Sequence, residues 1–263
     1  MRLEDKVIVV TGSTTGIGKA IAKSCLAEGA RVLIHGLEAD LAEATWDELD
    51  PDRSRSDILI ADLADSDAPQ KIRKAVLNRF GRINGLVNNA AKVATGNIVS
   101  TTSDHFDSIM EVNTKAPFFL IRTLLDDLQQ TGGSVVNIGS VNAYCGEPDL
   151  LPYSISKGAL MTMTRNLGDT LHREYGVRIN QVNPGWILTE NEQDRKQAQG
   201  LPQDWPKRLD NFFAPSGRIF RPEEIAAAVV YFLSAEAGPV SGSVLDIEQH
   251  PMIGRNPEKE IPG

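Results

Sequence analysis

The stretch KVIVVTGSTTGIGKAIAKSCLAEG, residues 6–29, decides the fold. It opens on a short apolar run, KVIVV, that reads as a buried strand. It then passes through TGSTTGIG, Thr11–Gly18, and continues into a helical pattern stopped by Gly29. Glycines between a first strand and a first helix let the chain turn tightly. They also bring backbone N–H groups to a helix N-terminus, where a pyrophosphate is well accommodated. The spacing Gly12-x-x-x-Gly16-x-Gly18 differs from the common G-x-G-x-x-G form, so the turn has to be judged with its surroundings.

Outward from this unit, strand and helix patterns alternate without a linker. RVLIHG (31–36), DILIADL (57–63), NGLVNNA (84–90), GSVVNIGS (133–140), VRINQVNPG (177–185) and GSVLDIE (242–248) read as strands. Between them lie helical patterns at 40–50, 68–80, 103–130, 153–176 and 222–237, the long one at 103–130 opening on Ser103 as its cap. Short apolar runs rather than alternating ones mark strands covered on both faces. The expected fold class is therefore α/β, a doubly wound Rossmann-type parallel sheet of about seven strands with helices on both faces. We expect one domain over residues 1–263, a polar insert at about 189–215 acting as a lid, and a C-terminal arm over about 249–263.

The chain has 263 residues, 41% hydrophobic and 24% charged, with a net charge of −8. That balance suits a soluble core-forming domain and argues against nucleic acid, whose phosphates need a Lys/Arg surface. Two cysteines, Cys25 and Cys145, make no disulfide framework; Cys25 reads as a small core residue and Cys145 as a loop thiol near the chemistry. The start MRLEDKVIVV enters a strand directly, and no apolar run reaches the length of a membrane span, so the expected location is cytoplasmic. The four histidines are scattered without metal-ligand spacing, and no metal is expected.

The stretch PYSISKGAL, residues 152–160, places Tyr153 and Lys157 one helical turn apart on one face. Alone this is an ordinary solvated pair. Together with the glycine-rich turn, it makes the chain resemble the short-chain dehydrogenase/reductase family over about residues 3–247. T-G-x-x-x-G-I-G at 11–18, Asp62 after the third strand, N-N-A at 88–90, the ordered set Asn113, Ser140, Tyr153 and Lys157, N-P-G-W-I-L-T at 183–189 and GRIFRPEEIA at 217–226 all match its motifs.

The resemblance implies an NAD(P)-dependent oxidoreductase acting on a secondary alcohol or ketone. Tyr153 is then the proton-transfer group, with Lys157 and the nicotinamide's charge lowering its pKa and Lys157 also gripping the nicotinamide ribose. Ser140 bonds the substrate oxygen as it gains charge. Asn113 holds a water in a relay to Lys157. The competing readings are a turn cap for Ser140, a helix-kink residue for Asn113 and a surface charge for Lys157. The implied cofactor contacts are Gly12, Ser13, Thr15, Gly16, Ile17, Gly18, Gly36, Leu37, Asp62, Leu63, Asn89, Ala90, Ala91, Pro184, Gly185, Ile187 and Thr189, besides Tyr153 and Lys157.

Departures from the family concern the cofactor and the substrate. Gly36 stands where an acid usually meets a ribose 2′-OH, and Leu37 and Thr15 stand where cations usually meet a 2′-phosphate. A phosphate without a cation is costly to bury, so the reading favours NAD and leaves NADP open, with His35 or Arg55 as the fallback cation. The H-G-L end and Trp186 are similar to 3-hydroxybutyrate dehydrogenases of the family. The carboxylate-holding positions are instead Val93, Asn142 and Leu150, and the usual V-D-G-G ending is Asp246-Ile247-Glu248-Gln249. A substrate wall of Val93, Asn142, Tyr144, Cys145, Leu150, Trp186 and the insert lacks a placed cation. It points to a neutral sugar, polyol or cyclic alcohol. The alternatives are a 3-hydroxy acid or 3-oxoacyl substrate, or a nucleotide-binding regulator without turnover. Apolar stretches on the two long helices point to a homo-oligomer, a tetramer, with no membrane or nucleic-acid partner.

Overall fold

The computed structural model describes residues 1–144 and 146–250, so Cys145 and the arm beyond His250 lie outside the described residues. In chain order the strands are β1 (Val7–Val10), β2 (Arg31–Gly36), β3 (Ser56–Ile60), β4 (Gly85–Asn88), β5 (Ser134–Ile138), β6 (Arg178–Pro184) and β7 (Val244–Ile247). The helices are α1 (Gly16–Ala27), α2 (Ala39–Leu49), α3 (Ala68–Phe80), α4 (Ser103–Met110), α5 (Ala116–Thr131), α6 (Leu151–Tyr175), α7 (Glu190–Ala198) and α8 (Pro222–Leu233). The strands form one parallel seven-stranded sheet in the order β3-β2-β1-β4-β5-β6-β7.

Strands that read as unbroken apolar runs send alternate residues to opposite faces. Ile8, Val10, Val32 and Ile34 pack with Ile21 and Cys25 of α1 and Ile225 and Val229 of α8. Val7, Val9, Leu33 and Leu86 pack with Ile72 of α3, Leu120 and Leu124 of α5 and Leu171 of α6. Two covered faces explain why β1, β2 and β4 read as mostly apolar runs rather than alternating ones. The strand order reverses between β1 and β4, which opens a crevice at the carboxyl ends of these strands.

Four local expectations change. The pattern at 103–130 is not one α-helix: a π-helical turn, Glu111–Lys115, separates α4 from α5 and carries Asn113. The cap of α4 is Thr102, whose hydroxyl accepts from His105 N at 3.2 Å, and Ser103 is the first helical residue. The helix of the Tyr153/Lys157 pair starts at Leu151, with Pro152 in its first turn, where a missing N–H costs nothing. The insert is ordered into α7 and a short turn at Trp205–Lys207. Trp205, 1% exposed, forms with Ala214 and Ile219 a small core of its own beneath Trp186. Trp186 and Trp205 stack at 5.2 Å between ring centroids. No helix among the described residues is long and apolar enough to cross a membrane.

Candidate active site

The turn after β1 is strapped to the end of β2. Ser13 N donates to the His35 carbonyl at 2.8 Å, His35 N donates to Ser13 Oγ at 2.9 Å, and Gly12 N donates to His35 Nδ1 at 3.2 Å. Ser13 is fully buried and its hydroxyl donates to the Val10 carbonyl at 2.7 Å. Ser13 therefore anchors the turn and does not line the crevice, contrary to the expected contact. The crossing of this turn with the start of α1 needs Gly18. A Cβ there would run into the Gly12 carbonyl and the Asn89 amide, whose Nδ2 donates to the carbonyls of Thr11 and Gly12, each at 2.9 Å.

A cleft of about 940 Å³ runs from this turn past Gly36 and Leu37 to Asp62 and Leu63, and on to Asn89, Ala90 and Ala91. Its lining includes Gly12, Thr15, Gly16, Ile17, Gly18 and Thr189, as expected, together with Thr14, Glu38, Lys92 and Glu111, which sequence reasoning missed. Gly36 is glycine for lack of space: a Cβ there would lie 2.5 Å from Thr14 Cγ2. A side chain at that position would require Thr14 to shift, and the acids lining this part of the cleft are Glu38, which precedes α2, and Asp62.

The fallback cations are removed from the question. Burial pushes the His35 imidazole down to about 4, so it is neutral at ordinary pH. Arg55 lies before β3, at the other end of the sheet, where its Nη1 donates to the Leu26 carbonyl at 2.7 Å. Lys92 is the cation of this cleft among the described residues, and its Nζ donates to Ser108 Oγ at 3.0 Å.

A second cavity, about 300 Å³, adjoins the first through Ile17, Asn89, Ala91, Val93 and Thr189. Ser140, Tyr153, Lys157, Pro184, Gly185 and Ile187 line it, as do Asn142, Leu150 and Trp186 of the expected substrate wall. Ser140 follows β5; its hydroxyl accepts from Asn142 N at 3.1 Å and also hydrogen-bonds the Tyr153 phenol. It caps a turn and lines the cavity at once. Lys157, 2% exposed, donates to the Ile138 carbonyl at 2.7 Å, and burial brings its ammonium down to about 8. Burial pushes the half-buried Tyr153 phenol up to about 12, with the neighbouring Ser140 hydroxyl pulling the other way. Glu147 raises the phenol further and Arg195 lowers it, both less than burial does.

Two expected residues sit elsewhere. Tyr144 turns away from the cavity, its hydroxyl 3.1 Å from both carboxylate oxygens of Asp246. Asn113 spends its amide on the chain: Oδ1 accepts from Lys92 N at 2.7 Å, and Nδ2 donates to the Lys92 carbonyl and to Ser156 Oγ, each at 3.0 Å. Its side chain bolts the segment after β4 to α6, so a water would have to meet backbone freed by the π-turn rather than this amide.

The wall also holds a cation after all. Arg195 of α7 lines the cavity and is clamped by Glu192, which accepts from Arg195 Nε at 2.9 Å and Nη2 at 2.6 Å and from Trp186 Nε1 at 2.7 Å. Glu147 and Glu248 complete an acidic lining. Acids and bases near positions 147, 192, 195 and 248 carry no motif, and only folding brings them to one rim.

A family model described as enoyl-(acyl carrier protein) reductase matches residues 12–249. An uncharacterized oxidoreductase of Thermotoga maritima is 34% identical over 249 residues, covering 94% of this chain and 98% of the relative. An NADP-dependent (R)-specific alcohol dehydrogenase of Lentilactobacillus kefiri is 31% identical, covering 92% of this chain and 94% of its own. A meso-2,3-butanediol dehydrogenase of Serratia marcescens is 31% identical, covering 94% and 95%.

Proposed function

Because the chain belongs to the short-chain dehydrogenase/reductase family, whose members are NAD(P)-dependent oxidoreductases acting on CH–OH groups, we propose that it interconverts a neutral hydroxylated secondary alcohol and its ketone using NAD. The observation that carries this reading is the convergence of Ser140, Tyr153 and Lys157 on one cavity that opens into the glycine-lined cleft. A pure nucleotide binder has no use for such a group of proton donors.

The cleft fits a dinucleotide. The close approach at Gly18, the free N-terminus of α1 and the length of the cleft supply what a pyrophosphate and two nucleosides need. When bound, the nicotinamide supplies or accepts the hydride. The chain's own residues do the rest. Ser140, which hydrogen-bonds Tyr153 here, would turn its hydroxyl proton to the substrate oxygen. Tyr153 gives a proton to that oxygen in reduction and takes one in oxidation. Lys157 supplies positive charge beside the Tyr153 ring and would hold the nicotinamide ribose. Asn113 keeps the segment after β4 against α6, and the insert at 189–215 closes over the substrate.

NAD is favoured because the cleft around Gly36 and Leu37 presents Glu38 and Asp62 and no cation to a 2′-phosphate. A neutral polyol, sugar or cyclic alcohol is favoured because Glu147, Glu192 and Glu248 face Arg195, already clamped, and Lys157. Carboxylates accept hydroxyl protons and repel anionic substrates, which disfavours hydroxy acids and acyl carriers. The NADP-dependent alcohol dehydrogenase and the butanediol dehydrogenase among its relatives act, by their names, on uncharged alcohols, which agrees with this choice of substrate. The test is an oxidation screen with NAD and NADP across sugars, polyols, cyclic alcohols and hydroxy acids. Turnover confined to hydroxy acids sinks the substrate proposal, and cofactor binding without turnover of any alcohol leaves the regulator reading.

A further inference from the structure

A row of buried side chains crosses the sheet beneath the two cavities, and no catalytic role uses it. On the α6 side, Asn88 Nδ2 donates to Asn137 Oδ1 at 2.8 Å, and Asn137 Nδ2 donates to Thr164 Oγ1 at 2.9 Å. The Thr164 hydroxyl lies 2.9 Å from Gln181 Oε1, and Gln181 Nε2 donates to Asn183 Oδ1 at 2.7 Å. Asn183 Nδ2 donates to Asp246 Oδ1 at 2.9 Å, where the Tyr144 hydroxyl arrives from the other side. Asn137, Thr164, Gln181 and Asn183 are fully buried. Gly139 leaves the room they occupy, since a Cβ there would collide with Asn183 and Gln181.

One charge sets the direction of this row. A carboxylate only accepts, so Asn183 has to turn its NH₂ to Asp246 and its oxygen to Gln181. Gln181 then has to point its NH₂ at Asn183 and its oxygen at Thr164. Thr164 has one proton for two acceptors, Gln181 Oε1 and the Leu160 carbonyl, each at 2.9 Å, so in either case it accepts from Asn137, and Asn137 in turn accepts from Asn88. Reversing Asn183, for example, would set its oxygen against the Asp246 carboxylate and its NH₂ against the Gln181 NH₂.

We propose that Asp246 is a positioning residue: through Tyr144 it holds the loop that follows Ser140, and through the amide row it fixes the strand ends beneath Ser140 and Lys157. Tyr144 closes the short helical turn Val141–Ala143 that begins at Ser140. Asn137 precedes Ile138, whose carbonyl receives Lys157 Nζ. Thr164 lies two turns along α6 from Lys157, on the same side. The row thus ties the wall of the second cavity to the end of β4, just before Asn89.

The proposal rests on the dehydrogenase reading for its catalytic readout, so its test includes one that does not. In the full chain, Tyr144→Phe, which removes one hydroxyl, Asp246→Ala and the double variant are compared with wild type. We expect Tyr144→Phe to lower kcat/KM for the best alcohol about tenfold, with NAD affinity within about twofold of wild type. The double variant is no worse than Asp246→Ala alone, because Asp246→Ala already removes the bond that Tyr144→Phe removes. Hydrogen exchange over residues 139–150 rises in Tyr144→Phe. Unchanged kcat/KM in Tyr144→Phe, or penalties that multiply in the double variant, overturns the proposal. If wild type oxidises no alcohol, the functional reading has failed, and exchange decides alone: unchanged protection in Tyr144→Phe overturns the positioning role. Should Asp246→Ala not fold, Tyr144→Phe carries the comparison.

Discussion

Lys157 Nζ lies 5.7 Å from the centroid of the Tyr153 ring and gives its hydrogen bond to the Ile138 carbonyl at 2.7 Å. The two side chains share a helix face, yet the ammonium is aimed at the strand end rather than at the phenol oxygen. Burial dominates both groups: it brings Lys157 down to about 8 and lifts Tyr153 to about 12. A phenol that keeps its proton is suited to donating to an alkoxide. Oxidation needs further positive charge next to the ring before Tyr153 works as a base.

The Lys157 shift has a stability consequence with a definite sign. Its folded value, about 8, lies below the ordinary 10.5, so between these values the unfolded chain holds a proton that the folded chain has released. Stability from this group therefore rises with pH across that window. Relative to Lys157→Met, wild type should gain about 1 kcal/mol between about pH 7.5 and about pH 9 in urea unfolding. A difference that stays flat or falls would show that Lys157 keeps its charge when buried.

Cofactor choice follows from Gly36, Leu37 and Glu38. NAD should bind at least about tenfold more tightly than NADP, because a 2′-phosphate would meet Glu38 and Asp62 without a cation. Leu37→Arg should narrow or reverse that ratio, since Leu37 is 64% exposed at the cleft and a guanidinium fits there without repacking. Gly36→Asp should lose affinity for both cofactors, because its Cβ strikes Thr14. Calorimetric titration reads all three, and tighter binding of NADP by wild type would refute the argument.

The Glu192–Arg195 clamp predicts a change of substrate preference. Glu192→Gln keeps an acceptor for Trp186 Nε1 and removes the charge that occupies Arg195. A short hydroxy acid should then improve in KM by roughly tenfold while neutral alcohols change little. No gain on any acid would mean that Arg195 does not face the substrate.

Much of this could be read from the chain. The alternating apolar runs and the turn at Thr11–Gly18 carry the sheet, and Tyr153, Lys157 and Ser140 meet as their order implied. What escaped reading depended on partners distant in sequence. Ser13 and Tyr144 looked like site residues because of where they stand in the chain, but His35 and Asp246, brought up by other strands, turn them to structural work. Asn137, Gln181 and Asn183 lie inside runs that read as plain strands, and only sheet pairing shows that they form one row. Arg195 had no local mark, because its role depends on α7 folding back over Trp186.

The oligomer is tested on exposed apolar side chains of the long helices. Phe118 of α5 and Ile155 of α6 are 45% and 43% exposed. Sedimentation should show a tetramer with two-fold symmetry at micromolar concentration, and Phe118→Asp should shift it toward smaller species. A wild-type monomer would contradict this.

Tyr153→Phe tests the mechanism most directly. We predict an unchanged fold by circular dichroism, NAD affinity within about twofold of wild type, and oxidation of the best alcohol lowered by at least about a thousandfold, because the phenol is the group that takes the alcohol proton. Near-normal turnover of a true substrate by Tyr153→Phe would contradict it.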